Sequence, residues 1–170
     1  MPIKTEILFY DKKGNLIYQQ EGHSLLKQFY QMLFAQFNDQ NQSVKMIDGN
    51  TRTFSYSDTM RPVSDLVVGN DDTPVAYDNY KIGNELTGIS YGSIGRTLSC
   101  SSTSSFIEIV RSITETEGIN KEIKEIAIYV CEDGNCTYKY CIDRTVLDTP
   151  ITLPANDTVT IAWRLITTYT

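Results

Sequence analysis

The first 20 residues alternate between short β-prone stretches and a turn. Residues 3–10 and 16–20 are rich in branched and aromatic side chains, and the polar segment 11–15 separates them. Gly14 in this segment can supply the positive φ that a tight reversal requires. We therefore predict an N-terminal β-hairpin.

A helical pattern follows the hairpin. Its apolar positions recur every three or four residues as one stripe: Leu26, Phe29, Tyr30, Leu33, Phe34 and Phe37. Ser24 can cap the first turn, because its hydroxyl can accept from a free backbone amide. The pattern predicts a helix at 24–37 with this stripe buried against a sheet. If one sheet does not cover the whole stripe, we expect Phe34 and Phe37 to face a neighbouring subunit.

From residue 44 onward the hydrophobic pattern has period two, which favours strands. The candidate strands are 44–48, 51–56, 64–68, 86–91, 96–101, 105–114, 122–131, 136–142 and 158–168. Short turn-forming segments separate them, an arrangement typical of an antiparallel β-sandwich or a barrel. We expect the hairpin and helix at 1–43 and the strands at 44–170 to form one compact structural unit.

Charge narrows the classes of partner. The 15 Lys and Arg residues are outnumbered by 21 Asp and Glu residues, which gives a net charge of -6, and no basic cluster is present. Nucleic acid is therefore not an expected partner. No apolar run approaches the roughly 20 residues of a transmembrane helix, so no membrane partner is expected either. The first residues lack the apolar core of a secretory signal, which predicts synthesis in the cytoplasm.

The four cysteines leave three alternatives open. Cys131 and Cys136 bracket a four-residue reversal, so their Cβ atoms could come within disulfide reach as hairpin partners. Free thiols are the expected state in a reducing cytosol, and a disulfide could form in an oxidising exterior. A metal site is the third alternative, although the usual Cys-x2-Cys spacing is missing.

Two loop tyrosines, the single histidine and four glutamates are the candidates for binding or catalysis. Tyr77 and Tyr80 lie in a loop, where aromatic rings could contact a carbohydrate or a host surface. The single histidine, His23, is interpreted as a helix-entry residue, because no serine-nucleophile motif accompanies it. A glycosidase would need two carboxylates at a fixed separation across a cleft, a separation that the sequence does not show. The candidates for such a pair are Glu85, Glu108, Glu115 and Glu117. We expect Glu115 and Glu117 to be solvated, and we predict no enzyme and no cofactor.

Three segments, taken in order, resemble a family of small structural proteins of tailed phages and related viruses. The first is a hairpin at 7–17 that leads into the helix-forming segment 23–37. The second is 66–82, with its Val-Gly-Asn-Asp-Asp-Thr-Pro core. The third combines 123–130 with 143–163, which runs from an Arg-x-x-Leu-x-x-Pro pattern to a Trp-ending strand. In this chain Ala127 replaces the family's usual glycine.

The resemblance implies a virion protein with a jelly-roll-like β-sandwich core. It implies that the protein assembles as a homo-oligomer, such as a trimer, on other virion proteins of the capsid or tail. The β-rich pattern and the 11 tyrosines agree with a protein whose exposed strand edges and faces associate with other copies. The alternative function is a host-surface or carbohydrate-binding module.

Overall fold

The computed structural model describes residues 3–22, 25–55, 57–59, 61, 63–133 and 135–168. Of these residues, 57% lie in strands and 8% in a helix. The strands pair in antiparallel sheets, which confirms the prediction of a mainly β, antiparallel protein with one N-terminal helix. The elements in chain order are β1 (Ile3–Tyr10), β2 (Leu16–Glu21), α1 (Lys27–Asn38), β3 (Gln42–Lys45), β4 (Thr51–Phe54), β5 (Val63–Gly69), β6 (Ile89–Cys100), β7 (Ser104–Glu115), β8 (Lys121–Cys131), β9 (Lys139–Leu153) and β10 (Thr158–Thr168).

The chain divides into two compact units, each of which is discontinuous in sequence. The first unit comprises 1–23, 86–124 and 147–170, and the second comprises 24–85 and 125–146. The hairpin thus belongs to the first unit and α1 to the second, so this division does not follow the predicted boundary after residue 43. Strands β8 and β9 are long enough to contribute residues to both units.

The first unit contains a five-stranded sheet in the order β2-β1-β10-β7-β6. Ile7, Trp163 and Ile109 lie side by side on β1, β10 and β7, and none of them is more than 3% exposed. Because side chains two positions apart share a sheet face, Ile161 and Ile113 extend this apolar surface, and both are buried. Ile161 and Trp163 thus lie on one buried face of β10, in agreement with the period-two pattern that predicted a strand at 158–168.

The second unit contains α1, the β3–β4 pair and the residues 125–131 and 139–146 of β8 and β9. In the sheet β5-β8-β9, Leu66 pairs with Ile128 and Val68 with Ile126. All four side chains are fully buried. Helix α1 packs against β3.

Two predicted strand boundaries were wrong. The segments 86–91 and 96–101 belong to one strand, β6, whose pairing with β7 shifts register between Tyr91 and Ile94. The strand thus contains an irregularity of the bulge type at this point, where Gly92 lies. Strand β9 runs far beyond the predicted 136–142 and includes Pro150. This is possible because β9 is the edge strand of its sheet, where a missing N–H donor is tolerated.

The predicted buried face of the helix was also wrong. Helix α1 buries Gln28, Met32 and Ala35 instead of the aromatic stripe. At 3.6 residues per turn these three positions lie on the side opposite Tyr30 and Phe34. The stripe predicted that a helix exists, but its contact with β3 uses the less hydrophobic side. Ser24, the predicted cap, lies outside the described residues, and Leu26 occupies the N-cap position without a side-chain hydrogen bond.

Candidate functional site

The solvent side of α1 carries an exposed aromatic surface. Tyr30 is 46% exposed, Phe34 45% and Phe37 79%. These residues are four and three positions apart, so they form one stripe along the helix, which we call the aromatic face. Tyr77 is 58% exposed and contacts this face, with its ring centroid 6.3 Å from that of Tyr30.

The aromatic face is almost free of charge. Of the 12 residues of α1 only Lys27 is charged, and neither end of the helix carries a side chain that complements its dipole. A surface helix of a globular protein normally presents charged residues to water. In α1, aromatic side chains occupy the positions where those charges would be expected.

Backbone contacts to neighbouring segments fix the start of α1. The Leu26 N–H donates to the carbonyl of Ile142 at 2.9 Å, and the Lys27 N–H donates to the carbonyl of Tyr77 at 3.0 Å. These carbonyls satisfy two amides at the helix start that have no partner within the helix. Farther along, Gln36 Nε2 donates to the carbonyl of Asp58 at 2.7 Å. Contacts within the second unit therefore select the face of α1 that becomes buried.

A polar recess of about 300 Å³ lies beside the start of α1. The helix contributes Lys27, Gln28 and Gln31 to its lining, and Asp78 belongs to the loop that contains Tyr77 and Tyr80. Strands β3 and β4 contribute Ser43, Lys45 and Thr51. We call this cavity the helix recess. It is lined by polar residues alone.

A buried ion pair holds the loop that carries the two predicted contact tyrosines. Glu125 is fully buried, and its carboxylate accepts from the backbone amides of Gly83 at 3.0 Å and Asn84 at 2.8 Å. Arg144, only 2% exposed, donates from Nε to the same carboxylate at 2.7 Å. Its other nitrogens donate to Asn79 at 3.1 Å and to Asp71 at 3.2 Å. The loop of Tyr77 and Tyr80 is thus anchored on both sides of these residues.

The cysteine-bearing hairpin contains a disulfide between Cys131 and Cys136, one of the three states that the sequence left open. Their Cα atoms are 5.0 Å apart, within the usual range for such a bond. Cys100 and Cys141 are free thiols. Burial raises the pKa of Cys141 well above its ordinary value, which keeps this thiol protonated and unreactive.

Next to the disulfide, a buried carboxylate organises several rings. Arg52 forms a two-nitrogen contact with Glu132, with Nη2 2.7 Å from one carboxylate oxygen. Tyr140 donates its hydroxyl to the same carboxylate, and the Arg52 guanidinium lies 3.7 Å from the ring centre of Tyr138. These contacts join strand β4 to the hairpin that carries the disulfide, and the cluster therefore stabilises that hairpin.

The carboxylates considered for glycosidase chemistry act as structural groups. Glu115 is 1% exposed, so the expectation that it is solvated was wrong. It accepts from the backbone amides of Glu117 at 2.6 Å and Gly118 at 2.8 Å, and from that of Asn156 at 2.9 Å. Burial raises the pKa of Glu115, but these hydrogen bonds outweigh it and the pKa is lowered.

Each of the other carboxylates of that set belongs to a different local contact. Glu117 pairs with Lys121 Nζ at 2.6 Å, and Glu108 pairs with Arg164 Nε at 2.6 Å. Glu85 belongs to the second unit, where it forms an isolated bridge with Gly69. A lowered pKa and a full set of backbone donors suit an anion that holds a turn, and they do not suit a general acid.

Two further observations concern ligands and membranes. Within the described ranges, no three His, Cys, Asp or Glu side chains are grouped so that they could hold a metal ion. His23 lies outside those ranges. In the same part of the chain, no helix combines the length and apolarity needed to cross a bilayer.

Sequence reasoning missed the residues that define the two most unusual features of the second unit. Lys27, Gln28 and Lys45 meet at the helix recess because of the way α1 packs on β3, which the sequence pattern does not predict. Arg144, the partner of Glu125, had a weak signal, because three consecutive polar residues at 143–145 separate the apolar residues of β9 on either side. The protein is therefore mainly β and antiparallel, and its second unit carries an exposed aromatic helix face and a neighbouring polar recess. Searches among family models, curated proteins and solved structures find no match to this chain.

Proposed function

We propose that this protein is a structural component of a phage-like particle and that it self-associates through the aromatic face of α1. The observation that carries the proposal is the inverted burial of the helix. Gln28 is 2% exposed, whereas Phe37 is 79% exposed. Burying a large apolar side chain stabilises a protein by about 1.5–3 kcal/mol. An isolated chain forgoes this gain at Phe37 and much of it at Tyr30 and Phe34, and an interface would recover it.

A second copy of the chain is the partner that fits best. The chain carries a net charge of -6, so two copies repel each other unless they meet through an uncharged surface. The aromatic face provides such a surface, because its residues Tyr30, Phe34 and Phe37 are neutral. Aromatic residues are also the side chains most enriched at the centres of protein interfaces.

The location in a particle rests on the sequence resemblance to small virion proteins. The segments that carry it are 7–37, 66–82, 123–130 and 143–163. The structure gives this family's expected class, a mainly antiparallel β protein, but fold class alone does not imply function. The proposed location is the capsid or tail, with attachment to other virion proteins. Detection of the chain by mass spectrometry in purified particles would support it, and its absence from them would contradict it.

Self-association can be tested by sedimentation velocity over a range of protein concentrations. We expect the unaltered chain to form a homo-oligomer, of three copies or more, and Phe37→Asp to weaken association about 100-fold or more. Phe34→Asp is expected to act in the same direction. Ile119→Asp is the matched control, because Ile119 is 55% exposed but lies in a turn of the other unit.

The outcomes separate specific from general effects. A monomeric unaltered chain at all concentrations would contradict the proposal. Equal loss of association in Ile119→Asp and Phe37→Asp would show that added charge, and not the aromatic face, is responsible.

A second candidate function is binding to a carbohydrate or a host surface. The specific observation is Tyr77, whose exposed ring lies on a loop that Glu125 and Arg144 anchor. Rigid exposed rings provide contact area with little loss of conformational freedom on binding. Binding on a glycan array that is lost in Tyr77→Ala and in Tyr80→Ala would favour this function over assembly alone.

A further inference from the structure

The helix recess has the size and the lining of a small polar binding site. Its volume of about 300 Å³ lies at the lower end of the range for small-molecule sites. Three separate parts of the second unit converge on it: the first turns of α1, strands β3 and β4, and the loop at Asp78. Within α1, Gln31 Nε2 donates to the carbonyl of Ser43 at 2.9 Å, which joins the helix to β3 at the recess.

A buried polar side chain in the lining has unused hydrogen-bonding capacity. Gln28 is 2% exposed, and its Oε1 has no hydrogen-bond partner among the residues that the structure describes. Buried polar atoms without partners are rare in native proteins, and each one calls for an explanation. A small rotation of the amide towards the recess would let Gln28 exchange hydrogen bonds with a ligand there.

The charged side chains at the recess form no ion pairs with any other described residue of the protein. Within the described part of the chain, no salt bridge engages Lys27, Lys45 or Asp78. The Nζ atom of Lys45 lies 3.9 Å from the ring centre of Tyr80, which holds the cation beside the recess. Two lysines and one aspartate line this recess of a chain whose net charge is -6.

We infer that the helix recess binds an acidic saccharide, meaning a sugar that carries a carboxylate. This inference rests on the second candidate function and names its site and ligand class. The carboxylate would pair with Lys27 and Lys45, whose ammonium groups donate and cannot accept. Sugar hydroxyls both donate and accept, so they match the mixed set of Gln28, Thr51 and Asp78. The ring of Tyr80, whose centre lies 3.9 Å from Nζ of Lys45, provides apolar contact area beside the recess of the kind that a sugar face requires.

Isothermal titration of the full chain can test the inference with 3′-sialyllactose and trigalacturonic acid as acidic probes and lactose as the neutral control. We expect an acidic probe to bind at least tenfold more tightly than lactose. Raising the salt concentration from 20 to 500 mM should weaken this binding, because the lysines are exposed to solvent.

Three variants locate the binding. Lys45→Ala should weaken binding of the acidic probe about tenfold or more, whereas Asp78→Asn should strengthen it, because it removes the negative charge that repels the ligand carboxylate and keeps a hydrogen-bond acceptor. Lys13→Ala removes the same charge from the exposed turn after β1 and should change binding less than twofold. Circular dichroism melting curves would verify that each variant is folded, and neither Lys45 nor Asp78 is buried.

Each contrary result overturns a different claim. If an acidic probe binds but Lys45→Ala and Asp78→Asn retain its affinity, the recess is not the site, while carbohydrate binding itself stands. If lactose binds as tightly as 3′-sialyllactose, the acidic class is wrong. If none of the three sugars binds at millimolar concentration, the proposal for the recess is overturned, while the second candidate function is decided separately by the glycan array.

Discussion

The sheet of the first unit buries its hydrophobic residues, whereas helix α1 of the second unit exposes its aromatic residues to solvent. In the sheet, Ile7, Trp163 and Ile109 form a buried row, and none exceeds 3% exposure. In the helix, Gln28 is buried and Phe37 is 79% exposed. A strand has only two faces, and its alternation shows which is apolar. A helix can bury any of its sides. In α1, the hydrogen bonds from the first amides to the carbonyls of Ile142 and Tyr77 help to fix which side is buried.

The largest effect expected from this comparison is at Trp163. Trp163→Ala should lower the free energy of unfolding by about 3–5 kcal/mol, because it leaves a cavity in the buried row. Phe37→Ala should change it by no more than about 0.5 kcal/mol in a dilute sample without self-association. Urea unfolding followed by far-UV circular dichroism measures both, since Trp163 is the only tryptophan. A loss at Phe37 as large as that at Trp163 would show that the aromatic face is buried within one chain.

The same contrast explains how much of the fold the sequence could predict. The hairpin, the helix and the inward face of β10 follow local periodicity, so they could be predicted. The burial of Gln28 could not, because it depends on hydrogen bonds to residues far away in the chain. The division into units depends on β8 and β9, each of which contributes to both, and no composition change marks that point. The predicted strand 136–142 ended well before Pro150, but β9 is an edge strand and continues through this residue.

Only some residues of the candidate site could be predicted from the sequence. Tyr77 could be nominated from the sequence because aromatic residues in loops are recognisable. The anchor of its loop joins Glu125 to residues some forty to fifty positions earlier and to Arg144. The pairing of Glu125 with Arg144 and with the loop depends on how strands β5, β8 and β9 align. The disulfide was predictable as an alternative because Cys131 and Cys136 are only five residues apart.

A smaller effect is expected from the ion pair of the second unit. Arg144→Met should lower the free energy of unfolding by about 3 kcal/mol, because it leaves the Glu125 carboxylate buried without its cation. Hydrogen exchange should also become faster at the amides of Gly83 and Asn84, which donate to that carboxylate. Arg61→Met is the control, because Arg61 is exposed. Unchanged stability in Arg144→Met would show that the backbone amides alone stabilise Glu125.

The disulfide should contribute less. It closes a short loop, for which chain entropy gives a stabilisation of about 2 kcal/mol. The double variant Cys131→Ser/Cys136→Ser should therefore melt at a lower temperature than the unaltered chain, measured without reductant. Cys100→Ser is the control, since Cys100 is an exposed free thiol. If the double variant and the unaltered chain melt together, the hairpin is held by Glu132, Arg52 and Tyr140 alone.

The smallest expected effect is a pH dependence of stability that distinguishes the buried carboxylate of Glu115 from that of Glu125. Glu125 has an arginine partner, whereas three backbone amides hold Glu115. The pKa of Glu115 is lowered from 4.5 in the folded chain, so folding is favoured by its ionised form. This contribution is fully present above about pH 5 and is lost as the pH falls below 4.5 and through the folded value. Glu115→Gln should accordingly melt several degrees below the unaltered chain at pH 7, and the gap should narrow as the pH is lowered from 5 to 3.

Thermal melting at half-unit pH steps measures this gap, and Glu122→Gln serves as its control because Glu122 is exposed on β8 in the same unit. The control should stay close to the unaltered chain throughout the series. A constant gap between Glu115→Gln and the unaltered chain from pH 7 to 3 would mean that Glu115 acts through its shape and its neutral hydrogen bonds. Its charge would then contribute nothing, and the turn at 116–120 would be stabilised by packing and neutral contacts.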